Sequence, residues 1–174
     1  MVECTALAGL ALDGGTTITA ATLVSNGSVA VSPTATVTGM PAFCRVQGVS
    51  RPSADSHIVF EVWLPDRPNW NGRFLSTGEG GFAGTPNFTR NGLDGGMDEI
   101  VRRGYATAGT DTGHTTTDEW WAIGHPEKAA DYLYRAKHLT TVAAKAVATA
   151  FYGRAPSHAY FSSCSNGGRQ ALIE

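Results

Sequence analysis

The segment HAYFSSCSNGGRQALIE, residues 158–174, restricts the fold more than any other part of the sequence. A short strand-like run meets Ser165, which lies between Cys164 and Asn166, and two glycines and a helix-forming run follow. This order matches the nucleophile elbow, usually written G-x-S-x-G, with Ser163 in place of the first glycine. A helix that begins at the serine also favours a developing negative charge beside it. The pattern alone leaves two interpretations open: a nucleophile, or a serine that only caps the helix.

The remainder of the chain predicts an α/β fold. Its N-terminal part is a series of strand-like runs separated by turns: TTITAATLV, VAVSPTATVTG, FCRVQGVSR and SHIVFEVWLP, the last with two alternating faces. From Arg73 onward, short strands (RFLST, YATAGT and HAYFSS) alternate with helices, of which the first is Met97–Arg103. The alternation predicts a parallel sheet whose strands end in three polar loops, GEGG, TDTGH and CSNGG. Ligands of such sheets bind at the carboxyl ends of the strands.

The strongest helix prediction covers residues 127–152, and Gly153 ends it. Its apolar residues recur at three- and four-residue steps, which predicts one buried face. That face would consist of Leu139, Val142, Ala143, Ala146, Val147 and Ala150.

Composition excludes several classes of protein. The 174 residues suffice for one domain with a core, and a net charge of −2 differs from the basic character of nucleic-acid binders. No apolar run approaches the roughly 18 residues that span a bilayer, which argues against a membrane partner. The sequons Asn26-Gly27-Ser28 and Asn87-Phe88-Thr89 hint at a secreted protein, since such sites are glycosylated outside the cytoplasm.

The glycine-rich loop STGEGGFAG follows the strand that begins at Arg73. In folds with a nucleophile elbow, the second donor of the oxyanion hole comes from the loop after an earlier strand. Gly80 or Gly81 is suited to that task because glycine lets the backbone approach closely. Residues 78–83 also fit G-x-G-x-x-A, the dinucleotide fingerprint, but no helix-forming run follows them.

The partners that a nucleophilic serine needs do not follow it in this sequence. The triad of α/β-hydrolases runs serine, acid, histidine along the chain, whereas here only Glu174 is acidic after Ser165. All five histidines (57, 114, 125, 138 and 158) come earlier. His114 is the last residue of the loop TDTGH. A structural role for His114 in shaping this loop is favoured over a role as the catalytic base. The order predicts that the chain is a fragment, inactive by itself and with an exposed sheet edge.

The motif Cys164-Ser165-Asn166-Gly167-Gly168-Arg169-Gln170 resembles the C-S-x-G-G-R-Q elbow of the tannase and feruloyl esterase family of α/β-hydrolases. The runs FCRVQG, WNGRFLSTGEGGFAG, RRGYATAGTDTGH and GHPEKAADYLYRAKH are also similar to that family. The resemblance implies an incomplete α/β-hydrolase fold, with the sheet truncated just after the elbow. Residues 1–174 would then be the N-terminal part of one catalytic domain, with a β-rich section (1–70) and a strand/helix alternation (71–174).

The resemblance also assigns roles to individual residues. Ser165 would be the nucleophile, and the N–H of Asn166 and of Gly80 or Gly81 would form the oxyanion hole. Cys4 would pair with Cys44, while Cys164 would pair with a cysteine beside the catalytic histidine, outside this segment. The lid domain, also outside it, would carry a calcium site, and this segment would need no cofactor.

The implied substrate is a small aromatic carboxylic ester of the feruloyl or galloyl type. Such an ester group can also be attached to plant polysaccharide or tannin. The protein would be secreted or periplasmic, as disulfides suggest. A non-catalytic carbohydrate- or ligand-binding module and a nucleotide-binding oxidoreductase remain as alternatives.

Overall fold

The computed structural model describes residues 1–25, 27–89, 95–115 and 120–174. The strands are β1 (Thr16–Val24), β2 (Ser28–Ser32), β3 (Ala35–Thr38), β4 (Phe43–Ser50), β5 (Ile58–Pro65), β6 (Arg73–Thr77), β7 (Thr107–Thr110) and β8 (His158–Ser162). The helices are α1 (Met97–Arg102), α2 (Pro126–Ala130), α3 (Ala136–Tyr152) and α4 (Asn166–Ile173). A π-helical segment, Asp131–Arg135, joins α2 to α3, and short 3-10 helices cover Thr5–Gly9 and Arg67–Asn69.

The strands form a mixed α/β architecture. Antiparallel pairs give the order β1-β4-β5-β7, and β6 pairs with β8 in parallel. Ala106, just before β7, forms a parallel bridge with Phe74 of β6. Leu75 donates to the carbonyl of Ala106 at 2.9 Å, so the two sets of strands meet in the order β1-β4-β5-β7-β6-β8. The predicted parallel pairing therefore holds for β6 with its two neighbours, whereas β7 runs antiparallel to β5.

Two strand predictions need correction. The run VAVSPTATVTG forms a hairpin, β2 and β3, because Pro33 and Thr34 make a turn and proline has no N–H for a ladder. The run IVFEVWLP forms β5 as expected, but seven of its eight residues are buried and no solvent-facing side exists. Both faces of β5 are covered: Val62 belongs to the core cluster that includes α3, and Trp63, on the opposite face, belongs to a second cluster that includes Met97 of α1.

The buried face of α3 is rotated from the predicted one. Ala143 and Val147 are buried as predicted, but Val142 is 50% exposed and Ala146 is exposed. The buried stripe instead includes Lys137, Thr140, Thr141, Ala144, Ala148 and Phe151. Lys137 can face inward because it meets a buried carboxylate, which a hydrophobic pattern does not reveal.

The predicted disulfide between Cys4 and Cys44 is present, with Cα atoms 5.6 Å apart. It attaches the N-terminal 3-10 helix to β4 inside the main core, where Leu7 is fully buried. The core continues onto α3 through Ala144 and Val147. Among the described residues, no helix has the length and apolar character needed to cross a membrane.

Candidate active site

Ser165 lies in a sharp turn between a strand and a helix. β8 ends at Ser162 and α4 begins at Asn166. Ser165 has φ 56° and ψ −125°, a backbone conformation that costs a non-glycine residue about 1–3 kcal/mol and is concentrated at functional sites. The residue is exposed, and its side chain makes no hydrogen bond that caps the helix. The capping interpretation is therefore wrong.

Small residues permit this turn. A Cβ atom on Gly167 would lie 2.0 Å from Oγ of Ser163, so the elbow excludes any larger residue there. At the start of α4, the carbonyl of Ser165 accepts from the N–H groups of Gly168 (3.0 Å) and Arg169 (3.2 Å). The N–H of Asn166 belongs to the first turn, whose donors have no partner within the helix. It is thus available to an anion beside Ser165.

The glycine-rich loop lies directly beside the elbow. β6 and β8 are neighbouring parallel strands, and their last residues, Thr77 and Ser162, pair in register. The loop after β6 and the elbow after β8 consequently leave the sheet at the same edge. A Cβ atom on Gly78 would lie 2.6 Å from the Cα of Gly167, which means that the two backbones are in contact.

The backbone of this loop is held by α4. The N–H of Glu79 donates to Oε1 of Gln170 (3.1 Å), and the carbonyl of Glu79 accepts from Nδ2 of Asn166 (3.1 Å). The carbonyl of Gly80 accepts from the N–H of Ala83 (2.9 Å), which closes a turn. Within the described part of the chain, the N–H groups of Gly80 and Gly81 donate to no acceptor. The structure therefore places the elbow, with Ser165 and the first residue of α4, Asn166, next to the loop that contains the two glycines.

The side chain of Asn166 is fixed from several directions. Its Oδ1 accepts from the hydroxyl of Tyr132 (3.2 Å) and from Nε of Arg169 (3.0 Å). The guanidinium of Arg169 lies 4.9 Å from the ring centroid of Tyr132. Tyr132 belongs to the π-helical segment, a type of turn that often occurs at functional sites.

A buried ion pair lies under the glycine loop. Nζ of Lys137 is 3.1 Å from Oε1 of Glu79, and the two side chains are only 3% and 2% exposed. Lys137 also donates to the carbonyl of Thr77 (2.7 Å), and the same Glu79 oxygen accepts from the N–H of Thr110 (3.1 Å). The motif GEGG predicts a role only for the backbone of its glycines, so Glu79 and its buried partners were not predicted from the sequence. The one available signal was a lone charge at the end of an apolar strand.

Asp111 follows β7 at the same edge of the sheet. Burial raises the pKa of its carboxyl group to about 7, and the nearby Glu79 adds to the increase. Hydrogen bonds from the N–H groups of Gly113 (2.7 Å) and Val59 (3.0 Å) act in the opposite direction. The edge of the sheet that carries the elbow therefore also carries a carboxyl group with a pKa of about 7.

Each of the five histidines contacts a residue other than Ser165. His114 stacks on Trp121 with ring centroids 4.1 Å apart, and its Nδ1 lies 3.4 Å from Oγ1 of Thr112. Tyr132 meets the His114 ring edge-on at 5.7 Å, which fits the predicted role of shaping the loop. The other four histidines, at positions 57, 125, 138 and 158, are exposed. Glu174, the acid after the elbow, lies 3.5 Å from His138.

Two further sequence predictions concern single residues. Cys164 is exposed and is not part of the disulfide between Cys4 and Cys44, and its pairing with a cysteine outside this segment stays a prediction. Asn87 of the second sequon is half-buried and donates to Oγ1 of Thr77 (3.1 Å), so its amide supports the glycine loop. Asn26 of the first sequon is outside the described residues.

The dinucleotide-binding alternative does not fit this geometry. The fingerprint requires a helix that opens directly behind the glycines. Residues 78–89 form turns and irregular backbone instead.

A cavity of about 420 Å³ lies between the β2–β3 hairpin and residues 79–89, and Gly80 lines it. Ser165 is not among its lining residues.

Several known proteins are similar to this chain in sequence and in fold. The model of the family "Tannase and feruloyl esterase" matches residues 44–174. An uncharacterized esterase of Xanthomonas campestris pv. campestris is 44% identical over 172 residues, which is 98% of this chain and 28% of that protein. A probable feruloyl esterase B-1 of Neosartorya fischeri is 38% identical over 128 residues, 74% of this chain and 23% of that protein.

A solved structure of a feruloyl esterase is also similar to this chain. The crystal structure of feruloyl esterase B from Aspergillus oryzae superposes with a TM-score of 0.83 at 30% identity, covering 96% of this chain and 32% of that one. The chain thus spans about a third or less of the relatives it matches. The match over residues 44–174 includes the glycine loop and the elbow. On this evidence the chain belongs to the tannase and feruloyl esterase family.

Proposed function

We propose that this chain supplies the nucleophile and the oxyanion hole of a carboxylic ester hydrolase with an α/β-hydrolase fold. The observation that carries the proposal is Ser165 in a strained strand–helix turn, beside a glycine loop with free N–H groups. Two convergent donors next to an exposed serine are what acyl transfer requires. Membership of an esterase family supports the same reaction.

Each residue has a defined part in the proposed reaction. Oγ of Ser165 attacks the acyl carbon of the ester and passes its proton to a base, so the C–O double bond becomes a single bond to an oxyanion. The N–H of Asn166 and the N–H of Gly80 or Gly81 stabilise that oxyanion. When the intermediate collapses, the alcohol leaves with the proton, and water then hydrolyses the acyl-enzyme.

We place the base and its acid partner outside this chain. His114 is stacked on Trp121, and the four other histidines are exposed, with His138 beside Glu174 and His125 beside Asp55. The chain spans less than a third of the length of its curated relatives, which leaves room for both groups elsewhere.

We propose aromatic acid esters of the feruloyl or galloyl type as substrates. Relatives bear the names feruloyl esterase B-1 and tannin acyl hydrolase, and they support this class. The disulfide of Cys4 and Cys44 supports a secreted or periplasmic location, since such bonds persist in oxidising compartments.

The test is to express the longest open reading frame that contains this chain and to assay it with methyl ferulate and an alkyl gallate. We expect hydrolysis of at least one ester and a loss of roughly 10⁴-fold or more in Ser165→Ala. Full activity in that variant, or no hydrolysis of either ester by the folded protein, would contradict the proposal.

A further inference from the structure

Glu79 joins the glycine loop to three neighbouring elements. Its backbone contacts α4 through Gln170 and Asn166. Its carboxylate contacts α3 through Lys137 and β7 through Thr110. These partners come from three different elements, and the carboxylate is buried.

The contacts of Glu79 set the direction of the loop's donors. In a trans peptide the C=O and N–H groups point in opposite directions. The bond from Asn166 to the carbonyl of Glu79 therefore orients the N–H of Gly80, which belongs to the same peptide plane. The bond that the N–H of Glu79 donates to Oε1 of Gln170 fixes the preceding peptide plane. A rotation of either plane would change the direction of the N–H of Gly80, which is the donor that we propose for the oxyanion hole.

The side chain of Glu79 prevents such a rotation. Lys137 holds Oε1 of Glu79 and, through the carbonyl of Thr77, the end of β6 at the same time. The ammonium of Lys137 also lies 5.4 Å from the ring centroid of Phe161 on β8, the strand that leads to the elbow. Lys137 therefore contacts both strands that carry the site. A buried charge pair is a weak source of stability, because desolvation offsets most of its attraction.

We propose that Glu79 and Lys137 are positioning residues that hold the oxyanion donor of the glycine loop in its catalytic orientation. The proposal rests on the proposed function and adds two residues that do not touch the substrate. Because the oxyanion forms only in the transition state, loss of its donor lowers kcat and leaves KM nearly unchanged.

The experiment compares Glu79→Ala with Glu79→Gln in the full-length protein. Glu79→Ala should lower kcat by roughly 10- to 100-fold and change KM less than about twofold, since removing an oxyanion donor costs about 10²- to 10³-fold. Glu79→Gln should recover most of this loss, because its amide oxygen can accept the same bonds from Lys137 and Thr110.

Glu61→Ala is the matched control. Glu61 is also buried (4% exposed) and pairs with Arg45 at 2.6 Å, but it lies on β5 away from the elbow. This variant should lower the melting temperature and leave kcat unchanged. An equal loss of kcat in Glu61→Ala and Glu79→Ala would mean that destabilisation alone is responsible, and it would overturn the proposal.

Gln170→Leu keeps the proposal testable if Glu79→Ala does not fold. This substitution leaves Glu79 in place and removes the side-chain oxygen on α4 that accepts from the N–H of Glu79. It should lower kcat in the same way as Glu79→Ala. A kcat within about twofold of wild type in a folded Glu79→Ala or Gln170→Leu, or an effect on KM alone, would refute the positioning role. Ser165→Ala tests the proposed function separately, since full activity there would refute the nucleophile whatever the Glu79 variants do.

Discussion

At the scale of single residues, Asp111 shows how burial changes the chemistry of a carboxyl group. Its pKa rises from 3.8 to about 7, chiefly because the group is removed from water. The protonated form is therefore favoured in the folded protein. The stability that this gives is fully present below pH 3.8 and is lost as the pH rises through about 7.

Replacing Asp111 by asparagine should remove this dependence, because the amide oxygen can accept the same bonds from Gly113 and Val59. Relative to wild type, Asp111→Asn should gain on the order of 2 kcal/mol between pH 5 and pH 8. Urea unfolding of both proteins at the two pH values measures the difference. An equal difference at pH 5 and pH 8 would show that Asp111 is ionised throughout.

At the scale of elements, the contact between the glycine loop and α4 depends on the absence of a side chain at Gly78. An added methyl group would meet the Cα of Gly167 at 2.6 Å and Cβ of Ser163 at 2.9 Å. Backbone atoms cannot give way as a flexible side chain does. The loop and the helix must therefore separate to accept any larger residue.

Gly78→Ala should consequently lower the free energy of unfolding by about 1–3 kcal/mol, the usual cost of overpacking. Gly168→Ala is the control, because an added Cβ there meets no atom within 4 Å, and alanine favours the helix. Thermal unfolding should show a lower melting temperature for the first variant and an unchanged or higher one for the second. A neutral Gly78→Ala would mean that the backbones are not in contact.

The elements differ in how far the sequence predicts them. The elbow was predictable because its signals are local: a strand, a serine among small residues and a helix-forming run. The site partners Lys137 and Gln170 were not, because their roles come from strands and helices that meet only in the folded chain. The hairpin at Pro33 was missed since a short turn inside a β-rich run disturbs the alternation very little.

At the scale of the whole molecule, the disulfide of Cys4 and Cys44 ties the N-terminus to the centre of the sheet. The two residues are 40 positions apart, and closing such a loop restricts the unfolded chain. Replacing both by serine should lower the free energy of unfolding by roughly 3–4 kcal/mol, which chemical denaturation would measure. Cys164→Ser is the comparison, because this cysteine is exposed and outside the bond. A double variant as stable as wild type would contradict the prediction.

The nucleophilic role of Ser165 is the central claim for the molecule, and covalent labelling tests it most directly. The full-length protein is treated with a fluorophosphonate, which reacts with activated serines, and the modified peptide is located by mass spectrometry. We expect one adduct, on Ser165, in wild type and none in Ser165→Ala. An adduct on a different serine, or equal labelling of Ser165→Ala, would contradict the account.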